Sequence, residues 1–294
     1  MFSGFETRRI DLGGIRINCR TGGQGPGLLL LHGHPQTHVI WHKVAEQLAQ
    51  SFTVVAADLR GYGDSDKPAA ADGAPNYSKR VMAADQVALM QSLGFERFMV
   101  IGHDRGGRVA HRMAVDHRDA VERLVLLDIA PTLAMYEQTN EAFARAYWHW
   151  FFLIRPAPLP ESLIETDPER YLRSVMGSRS AGLTPFTDAA FAEYLRCLEL
   201  PGTAMAICED YRASAGIDLE HDRYDRTNGI LVTSPTLVLW GEQGVVGQCF
   251  SPLEEWAAVA TDVSGHALPC GHYIPEELPE RLLDEALRFL SDDA

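Results

Sequence analysis

At 294 residues, with 46% hydrophobic and 22% charged side chains, the chain is long enough for one large domain and has the composition of a globular protein that dissolves in water. A formal net charge of −14 with no basic block argues against nucleic acid and against anionic membrane surfaces as partners. The longest apolar runs, LLLL (28–31) and WFFLI (150–154), are far too short to span a bilayer, and MFSGFETRRID lacks the apolar core of a secretory signal. Cys19, Cys197, Cys208, Cys249 and Cys270 are odd in number and scattered without a C-x-x-C pair. That pattern predicts free thiols in a reducing cytoplasm rather than a disulfide framework or a zinc site.

Along the chain, short apolar runs at LLLLHG (28–33), TVVAAD (53–58), RFMVIG (97–102) and LVLLDI (124–129) read as buried strands. Helical patterns lie between them at 39–49, 78–93 and 106–117. In the second of these, Val81, Ala84, Val87, Met90 and Leu93 recur at helical spacing, and Gly94 stands where a left-handed cap ends a helix. Strand and helix signals that alternate in this way predict a mostly parallel, doubly wound sheet. After Pro131 the character changes. Residues 131–230 are rich in aromatics and in helical stretches broken by Pro156, Pro158, Pro160 and Pro185, with no convincing buried strand. The strand pattern resumes at TLVLWG (236–241) and VSGHALP (263–269), and a final helix covers 279–290. The expected organisation is an α/β core of residues 1–130 and 231–294, interrupted by a helical cap at 131–230.

The sequence Gly102-His103-Asp104-Arg105-Gly106 occupies a predicted strand-to-helix turn. In α/β-hydrolases this turn is the G-x-S-x-G nucleophile elbow, so the fold expected is the α/β-hydrolase fold with aspartate in place of serine. Aspartate is also a favoured helix N-cap, so the turn alone does not decide its role. Companions in the chain order nucleophile, acid, histidine favour catalysis. Asp128 ends the LVLLD strand and His272 follows the last strand, while Glu242 is a rival acid and His266 a rival base, the latter expected to be packed in its strand. His32-Gly33-His34-Pro35 resembles the H-G-x-P turn of this fold, which would let the backbone N–H groups of His34 and Arg105 form an oxyanion hole. His34, His38 and His42 have a spacing that could suggest a metal, but no carboxylate or cysteine near them in the sequence completes a site, so none is expected. An ionised aspartate needs no base before it attacks. It can displace a leaving group from carbon and form an ester, and the histidine then activates water against that ester.

The elbow GHDRGGR, the run RAYWHWFFLIRPAPLPE (145–161) and EDYRASAGIDLEHD (209–222) together resemble the fluoroacetate (haloacetate) dehalogenases over essentially the whole chain. The resemblance implies Asp104, Asp128 and His272 as the triad, Arg105 and Arg108 as the carboxylate-binding pair, and His149, Trp150 and Tyr211 as the halide-binding trio. It implies a small anionic haloacid as substrate, no cofactor, and a homodimer. The residues agree with it. Arg105 and Arg108 lie one helical turn apart, and guanidinium groups bind carboxylates bidentately. Two other readings compete. An epoxide hydrolase shares the elbow and the cap, but its family favours tryptophan where Arg105 stands. A non-catalytic binding scaffold has no need of three competent triad residues.

Overall fold

In the computed structural model, which describes residues 1–291, eight strands form one sheet. They are β1 (Glu6–Asp11), β2 (Arg16–Gly22), β3 (Gly27–Leu31), β4 (Thr53–Ala57), β5 (Phe98–His103), β6 (Val121–Leu127), β7 (Thr236–Gly241) and β8 (Val263–Leu268). Their order is β1-β2-β4-β3-β5-β6-β7-β8. β1 runs antiparallel to β2 and β2 antiparallel to β4, whereas every pairing from β4 to β8 is parallel.

The uninterrupted apolar runs follow from burial on both faces. Leu29 and Leu31 join one core with Val55, Val100, Leu124 and Leu126; Leu28 and Leu30 join the other with Val54, Ile101, Val125 and Leu127. Side chains alternate along a strand, so a strand covered on both sides must be apolar at every position. All six predicted strands are present. β1 and β2 lack such a run: ETRRID is mostly exposed, and RINCRTG is buried only at Ile17, Asn18 and Cys19.

The helices depart from expectation in two places. The predicted helix at 39–49 is a 3-10 turn, His38–Lys43, followed by a one-turn helix, Ala45–Leu48. The helix Lys79–Ser92 starts on a Ser78 cap and is followed by Gly94 at φ +92°, as read from the sequence, but its buried face includes Met82, Ala83, Gln86 and Leu89, and Ala84 points to solvent. Hydrophobic spacing marked the helix but misplaced the edge of its buried stripe.

Between β6 and β7 the described chain forms eight helices, from Thr132–Glu137 to Ile217–Asn228, and no strand of the sheet. Phe143, Trp150, Tyr171, Tyr194 and Tyr211 from this helical segment share the core cluster on one face of the sheet. Among the described residues no helix is long and apolar enough to cross a membrane. All five cysteines are free thiols.

From β3 the chain passes to β4 on one side and then to β5 on the other. Such a switch opens a crevice at the carboxyl ends of the two central strands, where ligands of open α/β sheets bind. His34 follows β3 and Asp104 follows β5, so both stand at that crevice.

Candidate active site

Asp104 sits between β5 and the helix Arg105–Asp116 with φ +47° and ψ −114°, a conformation that L-residues rarely adopt. The turn is possible because its neighbours are small. A Cβ on Gly106 would overlap the carbonyl oxygens of Leu31 and His32, so only glycine lets the helix approach β3 this closely. The sharp turn aims the Asp104 carboxylate over the ends of β3 and β5, where the backbone N–H of His34 donates to its Oδ1 at 2.9 Å. Burial opposes ionisation of this carboxyl group, but His272, Arg105 and Arg108 outweigh it and hold its pKa well below the ordinary carboxylate range.

Asp128 also has positive φ, +50°, just after β6. Its Oδ1 accepts the Gly241 N–H at 3.0 Å, and its Oδ2 lies 2.5 Å from His272 Nδ1. With Nδ1 held this way, Nε2 is the nitrogen left for chemistry. The His272 ring packs against His103 at 4.7 Å and Tyr273 at 4.9 Å, and the His103 Nε2–H donates to the His272 carbonyl at 2.9 Å. Burial keeps His103 neutral, with its pKa lowered to about 3. The rivals stand elsewhere. Glu242 is exposed, and His266 is a half-exposed partner of Glu285 at 3.2 Å, not the packed histidine the sequence suggested.

Arg105 and Arg108 are buried, not spread on a solvated helix face. Arg105 donates from Nε to Asp210 Oδ2 at 2.8 Å and from Nη2 to Asp210 Oδ1 at 2.9 Å and Ser214 Oγ at 2.5 Å. Its Nη1 has no partner in the protein. Arg108 gives Nη1 to the Ala130 carbonyl at 3.1 Å and Thr132 Oγ1 at 2.9 Å, leaving Nε unpartnered. Each arginine is thus fixed by most of its fork and keeps one donor free.

The guanidinium carbons of the pair lie over two of the predicted trio, Arg105 4.1 Å from the Tyr211 ring and Arg108 4.7 Å from the Trp150 ring. Trp150 Nε1 and the Tyr211 hydroxyl are both buried without a hydrogen-bond partner. His149 lies 5.9 Å from the Tyr211 ring and stacks at 6.2 Å on His34, whose Nε2 is hydrogen-bonded to the Tyr171 hydroxyl at 3.0 Å. Burial, reinforced by Arg179, holds His149 well below its ordinary pKa and therefore neutral. A cavity of about 430 Å³ lies beside His111, Pro131, Leu133 and Val259 and includes none of these site residues. The site itself is closed: Asp104 and His272 are each only 3% exposed.

The histidines of the 34–38–42 spacing do not converge. His38 Nδ1 pairs with Asp58 at 2.8 Å, a carboxylate just past the end of β4, and His42 Nδ1 bonds the Val39 carbonyl at 2.9 Å. Among the described residues the group placed closely enough to hold a metal is Asp64, Glu193 and Cys197, where Arg196 already pairs with both carboxylates.

Two residues that the sequence reading left unassigned border the site. Asp210, on the helix Thr203–Ala215, is the partner of Arg105 and also accepts from Lys79 Nζ and from the Tyr62 hydroxyl at 2.7 Å. Arg179, after the helix Pro168–Gly177, places its guanidinium carbon 4.4 Å from the Tyr147 ring. A buried arginine implies a nearby acid, but no local spacing ties position 105 to position 210.

A family of proteins with the α/β hydrolase fold matches residues 26–277. Among relatives, a fluoroacetate dehalogenase from Burkholderia sp is 45% identical over 99% of this chain and 96% of that protein. A soluble epoxide hydrolase from Corynebacterium sp. (strain C12) is 36% identical over 95% of each. Among solved structures, a chain from Nostoc sp PCC 7120 assigned to the α/β hydrolases superposes with a TM-score of 0.97 at 53% identity, covering 100% of both chains.

Proposed function

Because the chain belongs to the α/β-hydrolase family and is a hydrolase, we propose that it hydrolyses the carbon–halogen bond of small 2-haloacids, with haloacetates as substrates. The observation that carries this reading is the pairing of an ionised, buried Asp104 with two buried arginines, each keeping one donor free. A carboxylate nucleophile suits attack on saturated carbon. Two cations beside it suit a substrate that is itself a carboxylate, and they offset the repulsion between that anion and Asp104.

In the first step an Asp104 oxygen bonds to the carbon that carries the halogen, and the carbon–halogen pair leaves with the halide. Arg105 Nη1 and Arg108 Nε hold the substrate carboxylate. Trp150 Nε1, the Tyr211 hydroxyl and His149 receive the halide, supplying donors that strengthen as charge builds on the leaving atom. In the second step His272 Nε2 takes a proton from water, Asp128 steadies the resulting imidazolium, and hydroxide adds to the ester carbonyl of Asp104. The oxyanion forms on Asp104 itself, where the His34 N–H already reaches Oδ1, with the Arg105 N–H as the second donor. On collapse the imidazolium returns its proton to the departing glycolate oxygen, and the Asp104 carboxyl group loses its proton to restore the carboxylate. Haloacetate and water give glycolate, halide and a proton, and no cofactor enters. The helical segment 131–230 acts as the cap that brings the halide donors over the nucleophile.

Halide release from fluoroacetate and chloroacetate tests the reading. Diol formation from styrene oxide without halide release from either acid would replace it with an epoxide hydrolase.

A further inference from the structure

The site holds one more cation than this reaction uses. Arg179 stands over the ring of Tyr147, and Tyr147 in turn lies 5.3 Å from the ring of His149 and 6.4 Å from that of His272. Arg105 has Asp210 for a counter-charge, but Arg179 makes no ion pair with any acid among the described residues. Its Nε is buried without a hydrogen-bond partner, and the buried hydroxyl of Tyr273, the residue that follows the base, lies within its reach. Guanidinium and phenol are neighbours. Among the described acids, only the charge of Asp104 acts on this guanidinium, without an ion pair, so it can take a second anion.

A haloacetate does not supply that anion. Its carboxylate has Arg105 Nη1 and Arg108 Nε, and its halogen has Trp150 and Tyr211. A further acceptor has to come from a substituent on the carbon under attack, which in a haloacetate carries only hydrogens. A planar guanidinium beside a phenol matches a second carboxylate. Arg179 is itself only partly buried, so that group would keep part of its hydration.

We propose that Arg179 and Tyr273 form a second carboxylate subsite, and that the enzyme therefore accepts 2-halo-dicarboxylates of the 2-halosuccinate class. This rests on the dehalogenase reading and extends its substrate range. Asp104 bonds to C2, the C2–chlorine pair leaves as chloride, and water cleaves the ester. The sum is 2-chlorosuccinate plus water to 2-hydroxysuccinate, chloride and a proton.

The test sets chloroacetate against 2-chlorosuccinate for the wild-type protein, Arg179→Met, Arg179→Lys and Tyr273→Phe. Wild type releases chloride from both acids. Arg179→Met loses roughly 10- to 100-fold in kcat/KM on 2-chlorosuccinate, chiefly through KM, and less than about threefold on chloroacetate; Arg179→Lys recovers part of the loss. Chloroacetate turnover doubles as the check that each variant is folded. His272→Asn treated with 2-chlorosuccinate gains about 116 Da on the peptide holding Asp104. Equal losses on the two acids overturn the subsite, as does a wild type that turns over chloroacetate but not 2-chlorosuccinate; in both cases the dehalogenase reading stands. Failure of the wild type on both acids removes both.

Discussion

On the proposed mechanism Asp104 carries its charge before any substrate arrives, with Arg105 and Arg108 beside it to offset the cost of burying it. On the proposed mechanism the two half-reactions therefore depend on different residues. His272→Asn should still be alkylated, releasing about one halide per site, and should then stop with a gain of about 58 Da on the peptide holding Asp104. Repeated turnover by that variant, or an adduct on a cysteine, would contradict the assignment. The unpartnered donors of Trp150 and Tyr211 make a second, separable statement. Fluoride concentrates its charge most among the halides, so its departure depends most on donors that act in the transition state. Tyr211→Phe and Trp150→Phe should lose at least about tenfold more kcat on fluoroacetate than on bromoacetate. Losses of equal size across the halogens would mean that the two rings only shape the pocket.

At the scale of elements, the turn from β5 into the helix Arg105–Asp116 is where local backbone chemistry sets the position of the proposed nucleophile. Gly106→Ala would push a methyl group into the Leu31 and His32 carbonyls, which are backbone and cannot rotate away. Urea unfolding should show a loss of about 2–3 kcal/mol with an unchanged slope, whereas a neutral result would mean that the elbow has slack. This element was legible in the sequence because its requirements are local: a strand, three glycines and an aspartate in a fixed frame. The strands covered on both faces were legible for the same reason, as continuous apolar runs. β1 and β2 were not: β1 is an exposed edge, β2 beside it is buried only at Ile17, Asn18 and Cys19, and neither leaves such a run; the 3-10 turn at His38–Lys43 shares its short-range pattern with a helix. The proposed triad of Asp104, Asp128 and His272 could be picked out from motif order, but the contacts of Asp210 and Arg179 cross the fold and no spacing records them. His266 shows the converse error. A strand position does not guarantee burial when the strand is at the edge of the sheet, as β8 is.

At the scale of the molecule, the helical segment is tied to the sheet by buried polar groups. Gln36 Nε2 donates to the Tyr194 hydroxyl at 3.1 Å, and that hydroxyl donates to Glu276 Oε1 at 2.6 Å. Lys43 Nζ joins the Pro185 carbonyl at 2.6 Å to the Glu276 carbonyl at 2.7 Å. Burial pushes the Glu276 carboxyl group up to about 7 from 4.5, against the pull of Tyr194 and Lys43. A raised folded-state pKa favours the protonated form, so the stability this group supplies is complete below its unfolded pKa and drains away as pH rises through 7. Glu276→Gln removes that dependence. Relative to wild type, its unfolding free energy should improve by about 1–3 kcal/mol between pH 5 and pH 8. A difference that stays constant with pH would show that Glu276 is already ionised when folded.

The Asp210 contacts constrain how the molecule can breathe. Asp210 rides on the helical segment, yet it neutralises Arg105 and Lys79, which belong to the elbow and to the helix Lys79–Ser92 beneath it. A hinge that swung the segment away as one body would strand two buried cations without their counter-charge, at a cost of several kcal/mol. Entry by small movements of individual side chains, with the segment still docked, avoids that cost because Asp210 never leaves its two cations.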